Sequence, residues 1–129
     1  KTEESKKFWY KTDTWLKTII EDTSKLPEIE RLNSIFQCDI IYVYKQLANS
    51  YLPRHRDYDI ITAINLLLTD EVAPITFDHG DEYYKHALID VSQRHSVKPH
   101  PKDRLLLKFA WHKKTFKEVK NELREKCLI

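Results

Sequence analysis

A single glycine, Gly80, serves all 129 residues, and methionine is absent altogether. Phosphate-cradling loops of the G-x-x-x-x-G-K or G-x-G-x-x-G kind need several glycines, so the common nucleotide-binding motifs are excluded. The shortage also leaves few positions for tight hairpin turns, which argues for helices over a chain of β-hairpins. The two cysteines, Cys38 and Cys127, are too few for a secreted disulfide framework and lack C-x-x-C spacing, so reduced, buried thiols are expected. Cys127 is third from the end, one position short of a prenylation signal. No apolar run approaches the ~18 residues of a membrane span, and no apolar leader opens the chain. These absences point to a soluble domain of the nucleus or cytoplasm without membrane contact. The expected organisation is a single globular domain, 1–129, excised from a larger intracellular protein.

What is present suffices for a core. Hydrophobic residues make up 41% of the chain, and its aromatics (Phe 5, Tyr 7, Trp 3) supply bulk enough to fold without a structural metal. Prolines at 27, 53, 74, 99 and 101 punctuate segments that read as elements rather than linkers. Phe8, Trp15, Leu16 and Ile19 fall on one helical stripe, and Ile29, Leu32 and Phe36 form another after Pro27. "CDIIYVYKQLANSYLP" keeps helical phase through Ile40, Tyr44, Leu47 and Tyr51, although "IIYVY" is rich in strand formers. "IITAINLLL" reads as a helix capped by Asp57 or Asp59. "ITF" is too short for more than an edge strand. Leu105 to Trp111 fit strand and helix equally. Thr115 and Glu118 form a T-x-x-E capping box opening a helix faced by Phe116, Val119, Leu123 and Cys127.

Charge is divided unevenly along the chain. Residues 1–93 carry 11 Lys+Arg against 16 Asp+Glu, a net of −5, and residues 94–129 carry 11 against 4, a net of +7. Lys113, Lys117, Lys120 and Arg124 recur opposite the apolar stripe of the last helix, with Lys108 and His112 nearby. Such a face can displace counterions from phosphates or meet an acidic protein surface. It carries no recognition motif of a known nucleic-acid-binding module.

The segment "PITFDHGDEYYKH", 74–86, gathers Asp78, His79, Asp81, Glu82 and His86. His79, Glu82 and His86 at i, i+3 and i+7 would share a helix face within reach of a divalent ion. Gly80 opposes a helix through His79, however, and the acidic residues are accounted for as caps of a helix carrying Tyr84, Ala87, Leu88 and Val91. The remaining histidines, 55, 95, 100 and 112, are scattered.

The sequence therefore predicts a mainly α fold, a compact domain of five to seven helices with room for a small β element, or alternatively an α+β domain. The expected function is a non-enzymatic interaction module binding protein or nucleic acid through Lys108, His112, Lys113, Lys117, Lys120 and Arg124, without metal or cofactor. The alternatives are a small metal-dependent enzyme using residues 78–86 and a purely structural domain.

Overall fold

The computed structural model describes residues 10–11, 15–69 and 73–126. Ten strands and two helices follow one another: β1 (Tyr10–Lys11), β2 (Trp15–Ile19), α1 (Pro27–Phe36), β3 (Ile40–Gln46), β4 (Leu52–His55), β5 (Thr62–Leu67), β6 (Ala73–Phe77), β7 (Gly80–Tyr84), β8 (His86–Ile89), β9 (His95–Val97), β10 (Arg104–Trp111) and α2 (Phe116–Glu125). A six-stranded sheet runs β1-β2-β3-β10-β5-β8, and a four-stranded sheet runs β4-β9-β6-β7. Every pairing is antiparallel. From β3 onward the chain crosses repeatedly between the sheets, giving an eight-stranded double-sheet jelly roll with β1 and β2 added to one edge.

This architecture overturns the expectation of five to seven helices. Among the described residues, helices occupy only 27–36 and 116–125. Residues 15–19, 40–46, 62–67 and 86–89, read as helical, are strands, although Phe8 of the first stripe lies outside the described residues. β6, expected as an edge strand at most, is paired on both sides, with β7 and β9.

The physical cause is that the large sheet is covered on both faces. On one face Ile41, Ile64, Leu107, Phe109 and Trp111 pack with Val119 and Leu123 of α2 and with Ile29, Leu32 and Phe36 of α1. Phe36 meets Phe109 edge-on at 5.1 Å between centroids, an arrangement worth about 0.5–1.5 kcal/mol beyond its buried area. On the other face Tyr42, Ala63, Ile89 and Ala110 pack against Ile75 and Phe77 of the small sheet. Strands buried on both faces lose the in-out alternation of polarity and read as continuous apolar runs. The i, i+4 matches in "IIYVY" and "IITAI" therefore carry no information about a helix.

Scarcity of glycine does not exclude turns, because other residues take some of the special positions. Gln37 and Asn49 adopt positive φ, 55° and 62°, and Gln37 closes α1. Gly80 is reserved for a φ of 133° at the end of the two-residue turn between β6 and β7, where Phe77 pairs with Gly80. The 78–86 stretch is thus a β-hairpin and the start of β8, and Asp78, Asp81 and Glu82 cap no helix there. Asp78 pairs with Arg54 and Arg94, Asp81 lies 2.7 Å from Lys98, and Glu82 lies 3.1 Å from His79.

The capping box at α2 forms as read: Glu118 N–H donates to Thr115 Oγ1 at 3.2 Å, and Thr115 N–H donates to Glu118 Oε1 at 3.1 Å. Segment 105–112 resolves as strand through Trp111.

Candidate metal centre

β4 and β9 pair with His55 opposite His95, so the register of two short strands sets two imidazoles side by side, 4.4 Å apart between ring centroids. An irregularity in β4 between Leu52 and His55 re-aims the strand just before the first histidine. Two residues on, Asp57 is pinned where its N–H donates to Val91 O at 3.1 Å. Its carboxylate turns back between the rings: Oδ1 lies 3.1 Å from His55 Nε2 and 3.0 Å from His95 Nε2. The ligand atoms of all three side chains fall within 4.8 Å of one another. His95 is buried, with Phe77 packed against its ring.

The far side of each ring determines what this cluster can hold. His55 Nδ1 lies 2.7 Å from the carbonyl of Pro53, and His95 Nδ1 lies 2.7 Å from the carbonyl of Gln93. A carbonyl only accepts, so both Nδ1 atoms carry the proton. Both neutral rings then aim an Nε2 lone pair at the Asp57 side of the cluster, the arrangement in which metal-ligating histidines are held. Without an ion, each Nε2 would need a second proton to approach Asp57 Oδ1. Two imidazolium rings would then share one carboxylate with the Lys108 ammonium, whose Nζ is 3.0 Å from Asp57 Oδ2. A divalent cation replaces those two protons without crowding three positive side chains together. Separations of 3.0 and 3.1 Å also suit ligands bound at right angles at about 2.0–2.1 Å, which lie about 3 Å apart. The residues present fit a metal ion.

At Asp57 the electrostatics agree with that donor set, whereas at His55 they favour the protonated ring that an ion would have to displace. Burial pushes the Asp57 carboxyl up, but the Lys108 ammonium and the hydrogen bonds to His55 and His95 outweigh it and hold the group well below the usual carboxylate range. The hydrogen bond to Asp57 raises the His55 imidazole, against the opposing pull of burial. Asp57 therefore stays ionised, as an anionic ligand must.

The cluster opens into a cavity of about 400 Å³ between the two sheets. Its lining includes Tyr44, Gln46, Asn65, Tyr84, Arg104 and Lys108. Arg104 and Lys108 occupy inward positions of β10, alternating with the residues that face the helices, and are 4% and 7% exposed. Arg104 donates from Nε to Gln46 Oε1 at 2.8 Å and also from Nη2 to the same oxygen. Gln46 is itself fixed, because its Nε2 donates to the carbonyls of Ser50 and Lys98 at 2.9 and 3.1 Å. Asn65 donates to the Tyr84 hydroxyl at 3.2 Å, while its Oδ1 is buried without a hydrogen-bond partner. A buried acceptor left open in a polar cavity is a place for a ligand or water.

The residues that the sequence offers as metal ligands or as a partner-binding face lie elsewhere, with one exception. His79 is exposed and stacked on Phe77, and His86 is exposed on β8, so the 78–86 stretch does not assemble a donor set. Lys117 and Arg124 are exposed on α2, Lys120 lies 5.8 Å from the Phe116 ring centroid, and Lys113 is exposed ahead of the helix. His112 is tied back through its backbone N–H to Asp39 and through Nδ1 to the carbonyl of Asp59. Lys108, grouped with these as a surface cation, is buried in the cavity beside Asp57 instead. Asp57 is a candidate ligand, not a helix cap. The signal available was the H-x-D triplet of His55 and Asp57 with His95 on a later strand.

Two histidines and a carboxylate thus converge in the lining of the cavity between the sheets of a jelly roll, a donor set of the two-His-one-carboxylate kind. No family model matches the chain. No curated protein matches it either. Solved structures share its fold. A prolyl-4-hydroxylase from Pseudomonas putida is similar with a TM-score of 0.58 and 12% identity, over 86% of this chain and 80% of that one. An oxidoreductase of the 2OG-Fe(II) oxygenase family from Burkholderia pseudomallei gives 0.54 and 11%, over 83% and 75%. An HTH_3 family transcriptional regulator from Vibrio cholerae gives 0.54 and 8%, over 78% and 52%. At such identities the likeness concerns the fold alone, which hosts enzymes and regulators alike. The non-enzymatic, helical, nucleic-acid-binding reading is nevertheless overturned. The helical domain it assumed is absent, the fold is one that enzymes share, and the converging donor set favours the metal-dependent alternative at residues other than 78–86.

Proposed function

We propose that this chain is a non-haem iron enzyme that uses a 2-oxo acid and molecular oxygen to oxidise an organic substrate. The observation that carries the reading is the convergence of His55 Nε2, Asp57 Oδ1 and His95 Nε2, with both Nδ1 protons committed to backbone carbonyls. Three protein ligands on one side of an ion leave its other positions open, which suits ferrous iron in oxygen chemistry. When bound, the iron supplies the redox chemistry that couples oxygen to the two organic partners. The balance closes with 2-oxoglutarate: its oxidative decarboxylation to succinate and carbon dioxide provides two electrons, hydroxylation of a substrate C–H bond provides two, and oxygen takes all four.

The chain's own residues divide the remaining work. Arg104, set by Gln46 into one fixed orientation, presents a planar guanidinium inside the cavity, where it suits the distal carboxylate of such a co-substrate. Asn65 and Tyr84 offer further polar contacts along the same lining.

The test is anaerobic loading with Fe(II) followed by oxygen, 2-oxoglutarate and ascorbate, which supplies the two electrons that a substrate C–H bond would otherwise provide. Slow conversion to succinate without added substrate is then expected, lost in His95→Ala and shifted to much higher 2-oxoglutarate concentrations in Arg104→Gln. Failure of the loaded protein to consume oxygen with any 2-oxo acid would sink the reading.

A further inference from the structure

Lys108 has no part in holding the ion or the co-substrate as described, yet its ammonium is buried in the middle of the cavity. Burying an ammonium costs several kcal/mol unless it is paired, so the position is not casual. Its Nζ lies 3.0 Å from Asp57 Oδ2 and 5.0 Å from the centroid of the Tyr44 ring, and Lys108 is only 7% exposed. The two oxygens of Asp57 are thereby divided. Oδ1 faces both histidines, and Oδ2 faces Lys108.

Carboxylates are able to chelate an ion through both oxygens, and a chelating Asp57 would take a coordination position that an incoming molecule needs. With Oδ2 engaged by the ammonium, only Oδ1 remains for the ion. We infer that Lys108 is a positioning residue that fixes Asp57 as a one-oxygen ligand and so keeps the open side of the metal centre open. The role rests on the metal-centre reading above. Its bond to Asp57 also orients the carboxylate in the way that outer partners orient metal ligands generally. The tether is short: Lys108 pairs across the sheet with Tyr42 and Asn65, so its backbone is fixed from both sides.

The competing account is simple repulsion, in which the ammonium opposes the ion and its removal tightens binding. The visible spectrum of the Co(II)-loaded protein separates the two, because repulsion changes affinity without changing the number of ligand oxygens. Lys108→Met and Lys108→Gln should each shift that spectrum and lower its absorption, as expected when Asp57 becomes free to bind through both oxygens and the coordination number rises. Lys108→Arg, which retains a donor to Oδ2, should resemble the parent. Folded Met and Gln variants whose Co(II) spectrum matches the parent, whatever their Mn(II) affinity, overturn the role. A parent protein that binds no Mn(II), Co(II) or Fe(II) overturns the metal centre itself, a separate and distinguishable result.

Discussion

His55 and His95 are register partners across β4 and β9, and each turns its Nδ1 to a backbone carbonyl and its Nε2 to Asp57. Strand pairing therefore does more than hold the small sheet together. It fixes the separation and the tautomer of two candidate ligands by main-chain contacts that need no help from other side chains. Both rings are thereby placed on strands, and only Asp57 comes from the connection that follows β4.

If that pair is the ion's anchor, losing one ring should abolish binding. His95→Ala is expected to reduce Co(II) or Mn(II) affinity beyond the range of a calorimetric titration. His79→Ala and His86→Ala, whose rings are exposed and away from Asp57, should bind as the parent does. Loss of binding in either hairpin variant, with His95→Ala unaffected, would move the centre back to the 78–86 stretch.

Asp57 carries a second load, because it is the counter-ion of the buried Lys108. Asp57→Ala should therefore destabilise even the metal-free protein, by about 3–5 kcal/mol, since it strands a buried charge. Removing both partners in Asp57→Ala, Lys108→Met should restore part of that loss. Urea denaturation of the four proteins of this cycle measures the coupling, and additive losses would show that the pair does not interact.

The parts of this molecule legible in its sequence are those governed by local rules. α1 was marked by Pro27 and its apolar stripe, and α2 by the Thr115 to Glu118 box, because caps act within one turn of chain. The strands were not legible by periodicity, because the large sheet is buried on both sides and Leu106, Leu107, Phe109, Ala110 and Trp111 are all covered. Strand formers in "IIYVY" point the right way, but the length of the segment and the helical phase of Ile40, Tyr44, Leu47 and Tyr51 point to a helix instead. The metal centre was hidden for a different reason. Its third member, His95, comes from a separate strand, and only the β4 and β9 pairing joins it to His55 and Asp57. Lys108 showed how charge alone misleads: a lysine counted as surface became an interior ion partner once β10 placed it inward.

Gly80 tests the conformational argument by itself. A Cβ there would meet nothing within 4 Å, so a substitution suffers no clash, but φ of 133° is hostile to any L side chain. Gly80→Ala should cost about 1–3 kcal/mol, the strain of such a backbone region. Gly80→Ser should cost nearly the same, since the added oxygen enters open space. A thermal or urea measurement showing Gly80→Ala neutral would mean that the β6 to β7 turn relaxes freely.

The capping box at α2 gives a stability that acid should remove. The hydrogen bond from the Thr115 backbone N–H is the main reason that the Glu118 carboxyl is held below its ordinary value. A group depressed on folding contributes stability above its unfolded pKa, about 4.3 for glutamate, and that contribution fades as pH falls through the folded value. The stability difference between the parent and Glu118→Gln should therefore be present at pH 6 and shrink on titration toward pH 3. Thr115→Ala removes the other half of the box, leaving the Glu118 N–H without its side-chain acceptor, and should cost about 1 kcal/mol at either pH. Because Val119 and Leu123 of the same helix are pressed onto the large sheet, the loss should appear in global unfolding rather than as local fraying. Urea titrations at pH 6 and pH 3 decide it: a Glu118→Gln difference that stays constant across that range would show that the carboxylate's charge plays no part in holding α2.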